Sequence, residues 1–376
     1  MNKKALISIS LAAGMLLGAG AAPAIGRIAA RQGLTASAAT QSGTTVDGWK
    51  FTSDGTSCTI TGCTDAVRGE VTMPSAITID GNDLPVTKLD NSFYYSGSSR
   101  DYITSLTIPA SITTIDSSVF WQMKNLESVD VQAKIMILPS SVFSNCTNLE
   151  KVTLPDGLME IGLNAFNSCI RLKEVRLPET VKTLGSSVFQ NCESLEKVNI
   201  PGSVAVIPES AFKGCTNLKS VTIGEGVMSL STYAFQDCKM LEELVFPKSM
   251  TKVSSALMFS GCSNLKSLTF ENPECQISLV AGSEEKPLTI YGYEGSTAQA
   301  YCEKNGKSSH VEFKSIGEKP APQPVNDYGE FCDANGDGDI DSADAQFVLL
   351  YYVEKMAGNE PSWYALTKNP KAPDAP

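Results

Sequence analysis

Histidine is nearly missing from this chain, which holds one in 376 residues. That scarcity leaves little room for a Ser-His-Asp triad, a Cys-His pair or a multi-histidine zinc centre. Aromatic residues amount to 7% and charged residues to 19%. The 42% hydrophobic content is nevertheless too high for a disordered chain. Positive charge is also short: 30 Lys and Arg stand against 41 Asp and Glu, a net −11. Nucleic acid and anionic membrane surfaces are therefore poor partners. Cysteine is neither absent nor dense. Eleven are too few for a disulfide-knitted miniprotein, and an odd number cannot all pair. The length allows two or three domains with a large core. These shortages favour a scaffold over a catalyst.

The ends differ from the middle. Asn2-Lys3-Lys4 followed by the uncharged run Ala5 to Ala22 reads as an export signal, with Ala36-Ser37-Ala38 as a cleavage option. Residues 1–38 are therefore assigned to a signal peptide, with an uncleaved anchor as the alternative because 18 apolar or small residues could just span a bilayer. No second apolar run of that length follows, so the mature protein is expected outside the cytoplasm, without a membrane span. Glu318-Lys319-Pro320-Ala321-Pro322-Gln323-Pro324 alternates proline, holds neither helix nor central strand, and reads as an extended linker over 318–330.

Between about Val86 and Phe270 the sequence repeats every 23 residues as AFxxCxxLxxVxIPxxVxxI. Phe120, Phe143, Phe166, Phe189, Phe212 and Phe235 keep the step, and Phe259 follows after one inserted residue. Leu149, Val152 and Leu154 mark a short strand that Pro155 ends. The chain then turns, contributes Leu158 and Ile161, and inserts Ala165-Phe166 from a short helical turn. One coil cannot bury these residues alone, but stacked coils can, with a parallel sheet on one face. The expected fold is an α/β repeat solenoid of eight coils over 86–270.

The pattern resembles the BspA-like, Treponema-type leucine-rich repeats. Asp47-Gly48-Trp49-Lys50-Phe51 through Ile60-Thr61-Gly62 is similar to that family's amino-terminal β-hairpin cap, assigned to 44–85. Thr289 to Tyr293 followed by Ser296-Thr297-Ala298 is similar to its strand-and-helix terminal cap, assigned to 271–317.

Cys146, Cys169, Cys192, Cys215, Cys238 and Cys262 form one column of the repeat, and Met123 holds the same place earlier. A position that accepts methionine reads as a small buried hydrophobe, not a disulfide or a metal ligand. Cys58 and Cys63 in the first hairpin could bridge. Two outward columns, beginning at Ser128 and Asp130 and ending at Glu243 and Val245, are mixed in charge and carry no aromatic ring. Tyr94, Tyr95, Tyr102 and Trp121 cluster in the first coils. They read as rings filling an irregular coil, with a sugar-stacking platform as the alternative.

After the linker comes Asp333-Ala334-Asn335-Gly336-Asp337-Gly338-Asp339-Ile340-Asp341-Ser342-Ala343-Asp344. Oxygen ligands alternate at loop positions 1, 3 and 5, Gly338 stands at position 6 and Asp344 at position 12. The expected ion is Ca²⁺, a hard cation. A helix over 342–357 carries Phe347, Val348, Leu350, Tyr351 and Tyr352. The segment DANGDGDIDSADAQFVLLYY resembles the first loop–helix repeat of a type I dockerin, assigned to 331–376 as a small EF-hand-like segment. Pro361-Ser362-Trp363-Tyr364 resembles a ruminococcal intersegment. The resemblance implies Asp333, Asn335, Asp337, Asp341 and Asp344 as side-chain ligands and Asp339 as a carbonyl ligand. It implies Ser342 and Ala343 as the residues that read a cohesin module of a scaffoldin.

The implied protein is a secreted, non-catalytic component of a cellulosome on an anaerobic Gram-positive bacterium. Its solenoid would bind a protein or cell-surface partner. A polysaccharide-degrading hydrolase and a cell-surface adhesin are the alternatives. A glycosidase needs two carboxylates across a cleft, and the repeat leaves no residues over for one.

Overall fold

The computed structural model describes residues 40–253, 255–278 and 287–320. The expected export signal, most of the linker and the whole 331–376 segment lie outside the described residues. The chain divides into two units, 1–319 and 320–376, and the account below concerns the first.

Each coil contributes one rung to a parallel sheet. Strands Gly69–Thr72, Ile103–Ile108, Ser128–Val131 and Lys151–Thr153 lie side by side. A single bridging residue, Glu174, continues the row to Lys197–Ile200 and then Ser220–Ile223. Glu243–Phe246, Ser267–Phe270, Leu288–Glu294 and Val311–Glu318 form a second parallel set. The register is the repeat itself: Val129 faces Val152, and Val198 faces Val221. Alternation decides which side chains enter. Val152 is buried while Lys151 and Thr153 on either side are exposed.

Proline then closes the rung, and its carbonyl accepts from the N–H three residues on. Leu158 N–H donates to Pro155 O over 3.1 Å, and Val181 N–H to Pro178 O over 3.0 Å. A second row of two-residue parallel rungs follows. It includes Ile137–Leu138, Glu160–Ile161 and Thr183–Leu184, then Val206–Ile207, Ser229–Leu230, Lys252–Val253 and Gln276–Ile277.

The segment bearing Ala165-Phe166 is not a helical turn, as the sequence suggested, but a run of tight turns. Asn164 (φ 55°) and Ser168 (φ 60°) are left-handed on either side of Phe166, which stops a helix from propagating. The same pair recurs at Ser141/Asn145, Ser187/Asn191, Ser210/Gly214 and Tyr233/Asp237. This geometry aims alternate N–H groups at the next coil. Asn164, Phe166 and Ser168 donate to the carbonyls of Ser186, Val188 and Gln190 over 3.1, 2.9 and 2.7 Å. The coil therefore has three laddered edges, and its inward-facing backbone is paired on each.

Inside runs a file of aromatic rings. Phe189 stacks between Phe166 (centroids 5.4 Å, planes 6° apart) and Phe212 (5.5 Å, 12°). The file begins at Trp49 and Phe93 and continues through Phe120 to Phe259. Each stacked pair adds about 0.5–1.5 kcal/mol beyond the burial of its area.

Both ends of the stack are covered. Gln41–Thr44, Trp49–Ser53 and Cys58–Cys63 form an antiparallel meander, and the last of these pairs in parallel with Asn82–Leu89. At the other end, helix Thr297–Ser309 joins the last two strands and buries Ala298 and Cys302. Its N-cap Ser296 accepts from Gln299 N–H over 3.3 Å. His310 ends it in the left-handed conformation (φ 48°), so the one histidine of the chain serves as a helix C-cap.

Candidate interaction surface

The two outward columns of the sheet form an open trough of about 850 Å³. Its floor carries Asp130, Lys151, Thr153, Glu174, Arg176 and Lys197. Opposite charges pair from coil to coil. Lys197 Nζ lies 3.2 Å from Glu174, Lys173 2.7 Å from Glu150, Lys219 3.2 Å from Glu196 and Lys266 2.5 Å from Glu242. The Lys173 ammonium hydrogen-bonded to Glu150 holds that carboxyl below its usual range. These pairs are exposed, so each contributes little to stability. They present alternating charge along a face with no ring on which a sugar could stack.

The thiol column runs beneath the turns. Cys146, Cys169, Cys192, Cys215 and Cys238 are fully buried. Each is also a donor, which adds direction to the hydrophobic role read from the sequence. Their Sγ atoms donate to the carbonyls of Phe120, Phe143, Phe166, Phe189 and Phe212 over 3.1–3.2 Å. Cys262 repeats the bond to Phe235 O at 3.0 Å. Those carbonyls already accept from the N–H three residues on in their own coil, as Phe166 O does from Cys169 N–H at 3.1 Å and Phe120 O from Met123 N–H at 3.3 Å. Both lone pairs are thereby engaged. Burial pushes the Cys146 thiol up to about 12 and raises Cys192 well above its ordinary value.

Ten cysteines among the described residues are free. Cys58 and Cys63 do not bridge, because both belong to the single strand Cys58–Cys63. Five extended steps separate their Cα atoms by roughly 16 Å, far beyond disulfide reach.

Tyr94, Tyr95 and Trp121 meet at the surface, where Tyr95 is 78% exposed. Tyr94 and Trp121 are half-buried, as rings filling an irregular coil would be, and Tyr95 stands out from them. The proposed calcium and cohesin residues, Asp333, Asn335, Asp337, Asp339, Asp341, Ser342, Ala343 and Asp344, lie outside the described residues. Among the described residues, no group of three or more His, Cys, Asp or Glu side chains is placed to hold a metal ion. No helix among them is long and apolar enough to cross a membrane.

A family profile described as "BspA type Leucine rich repeat region" matches residues 86–196 and 182–281, together just over half of the chain. The chain belongs to the BspA-type leucine-rich repeat family. Among solved structures, a leucine-rich repeat protein from Bacteroides ovatus is 19% identical and superposes with a TM-score of 0.52. That match covers 73% of this chain and 78% of the other. The T. pallidum leucine-rich repeat protein is 25% identical over 65% of this chain and 90% of its own, with a TM-score of 0.31. A leucine-rich cell surface protein from Faecalibacterium prausnitzii is 18% identical over 69% and 97%, with a TM-score of 0.27. The fold assignment rests on the first of these three. No curated protein matches the chain.

The sequence did not show where the second and third ladders of each coil run. It held a signal for the third: the residue two places after each phenylalanine is Gln, Asn, Ser, Asn, Gly, Asp and Gly in successive coils. Asn, Asp and Gly are the residues that tolerate the left-handed region.

Proposed function

We propose that this BspA-type repeat protein is an exported, non-catalytic binding protein with two separate attachments. The solenoid captures a protein or cell-surface partner across the mixed-charge trough. The segment 331–376 acts as a calcium-dependent dockerin that plugs into a cohesin module of a scaffoldin and so joins a cellulosome. The observation that supports the second attachment is the loop Asp333–Asp344, whose donors are all oxygen. Asp333, Asn335, Asp337, Asp341 and Asp344 would offer side chains and Asp339 its carbonyl. Such a donor set suits Ca²⁺ and would suit a softer metal badly. The bound ion would neutralise a cluster of carboxylates and so order the loop. Ser342 and Ala343 would then face the cohesin. Residues 318–376 carry 11 acids and 4 bases, −7 of the net −11, and seven of those acids fall between Asp327 and Asp344.

The test is capture of the full chain on immobilised cohesins with and without a chelator. Retention that vanishes on chelation is expected. Absence of capture by any cohesin of the source organism would sink the cellulosomal reading and leave an adhesin, whose surface binding would not need calcium. A reducing-sugar assay on plant polysaccharides addresses the hydrolase alternative, and no release is expected.

A further inference from the structure

Segment Asn91–Tyr102 departs from the repeat. Phe93 and Phe120 are 27 residues apart instead of 23, and the added length runs as 3-10 turns broken at Gly97 (φ 73°). Phe93 enters the aromatic file, and the two residues after it remain outside. Tyr95 is 78% exposed and Tyr102 47%. Tyr94 lies between Tyr95 (centroids 5.0 Å, planes 74° apart) and Trp121 (5.1 Å, 40°).

The rings are held in place before any ligand arrives. The Arg100 guanidinium, buried beneath the patch, sits 4.4 Å from the Tyr94 centroid and donates to Trp121 O over 2.7 Å. Ser96 Oγ accepts from Cys63 N–H at 3.3 Å, and Ser99 Oγ donates to Asp65 Oδ1 at 2.6 Å. Arg68 lies 5.2 Å from the Tyr102 centroid while its Nε donates to Asp65 O over 2.8 Å. A platform fixed this way loses little entropy on binding.

The charge pattern narrows the ligand. Arg100, the arginine in contact with the patch, is buried beneath it, and Arg68 lies against Tyr102 and not against the three rings. The exposed polar side chains of the same segment are Asn91, Ser92 and Ser98, and its one acid, Asp101, is half-buried. Flat rings bordered by hydroxyls and an amide match a ligand with apolar C–H faces and hydroxyl edges, and no charge. We propose that the Tyr94–Tyr95–Trp121 patch binds a neutral glycan, with a sugar ring stacked on Tyr95 and its hydroxyls bonded by Asn91, Ser92 and Ser98. This proposal stands apart from the dockerin reading, because it uses neither calcium nor the carboxy-terminal segment.

Native affinity electrophoresis of the full chain tests it, with xyloglucan, mixed-linkage β-glucan, glucomannan or soluble starch in the gel. At least one should retard the protein. Tyr95→Ala should weaken that retardation about tenfold, the scale of one lost ring contact. Tyr95→Phe, which keeps the ring, should retain it. Tyr95 is too exposed for either variant to move the melting temperature, which serves as the folding control. Failure of every neutral glycan, binding confined to charged pectin, or retardation unchanged by Tyr95→Ala would each overturn the proposal.

Discussion

A thiol is a weak donor, and the column uses it six times in the same way. Cys192 Sγ fills a packed site and supplies the second hydrogen bond to Phe166 O. Cys192→Ala removes both and should cost about 1–3 kcal/mol, measured by urea unfolding. Cys192→Ser keeps a donor and should separate the two contributions. The same burial governs pH. A thiol whose folded pKa is raised stabilises fully below its ordinary value near 9, and that stability drains away as pH climbs toward the folded value, about 12 for Cys146. Alkaline titration should show a loss of far-ultraviolet circular dichroism between about pH 9 and 12. Thiolate absorbance should appear with the unfolding and not ahead of it. At neutral pH, a thiol reagent should label Cys146 through Cys238 only after denaturant is added.

At the scale of the element, the turn bearing each phenylalanine depends on left-handed residues. Asn191 adopts φ 59°, and Asn191→Ala should cost about 1–2 kcal/mol while Asn191→Gly stays near neutral. Chemical denaturation of the pair checks both. Gly185 is constrained differently, since a Cβ there would lie 2.3 Å from Leu163 N in the coil before. Gly185→Ala should therefore lower stability by about 1–3 kcal/mol through overpacking. The strand rungs were legible from the sequence because Val152 and Leu154 alternate with exposed partners and Pro155 marks the end. The two-residue rungs such as Val206–Ile207 were not, since a pair of residues has no period to read. The thiol bonds were hidden too, because a column of cysteine with one methionine looks apolar whatever the sulfur donates to. For the interaction surface, the repeat columns showed a ringless sheet face, but only the fold revealed that Tyr95 stands outward.

On the scale of the whole molecule, stability is a sum of like interfaces between coils. The aromatic file crosses every interface from Phe120 to Phe259, so one break affects two neighbours. Phe189→Ala should cost about 3–5 kcal/mol, more than Phe189→Leu, which keeps most of the buried volume. Thermal unfolding of the two variants gives the comparison. The coils also bear on evolution. Each offers the same donors to one side and the same acceptors to the other, so a coil's neighbours cannot distinguish it from the next. Unequal recombination within the gene could add or drop 23 residues without opening a seam. The trough would then lengthen or shorten by one strand spacing, about 4.8 Å, each time. Its reach would be a heritable length set in whole coils, separable from the chemistry of what it holds.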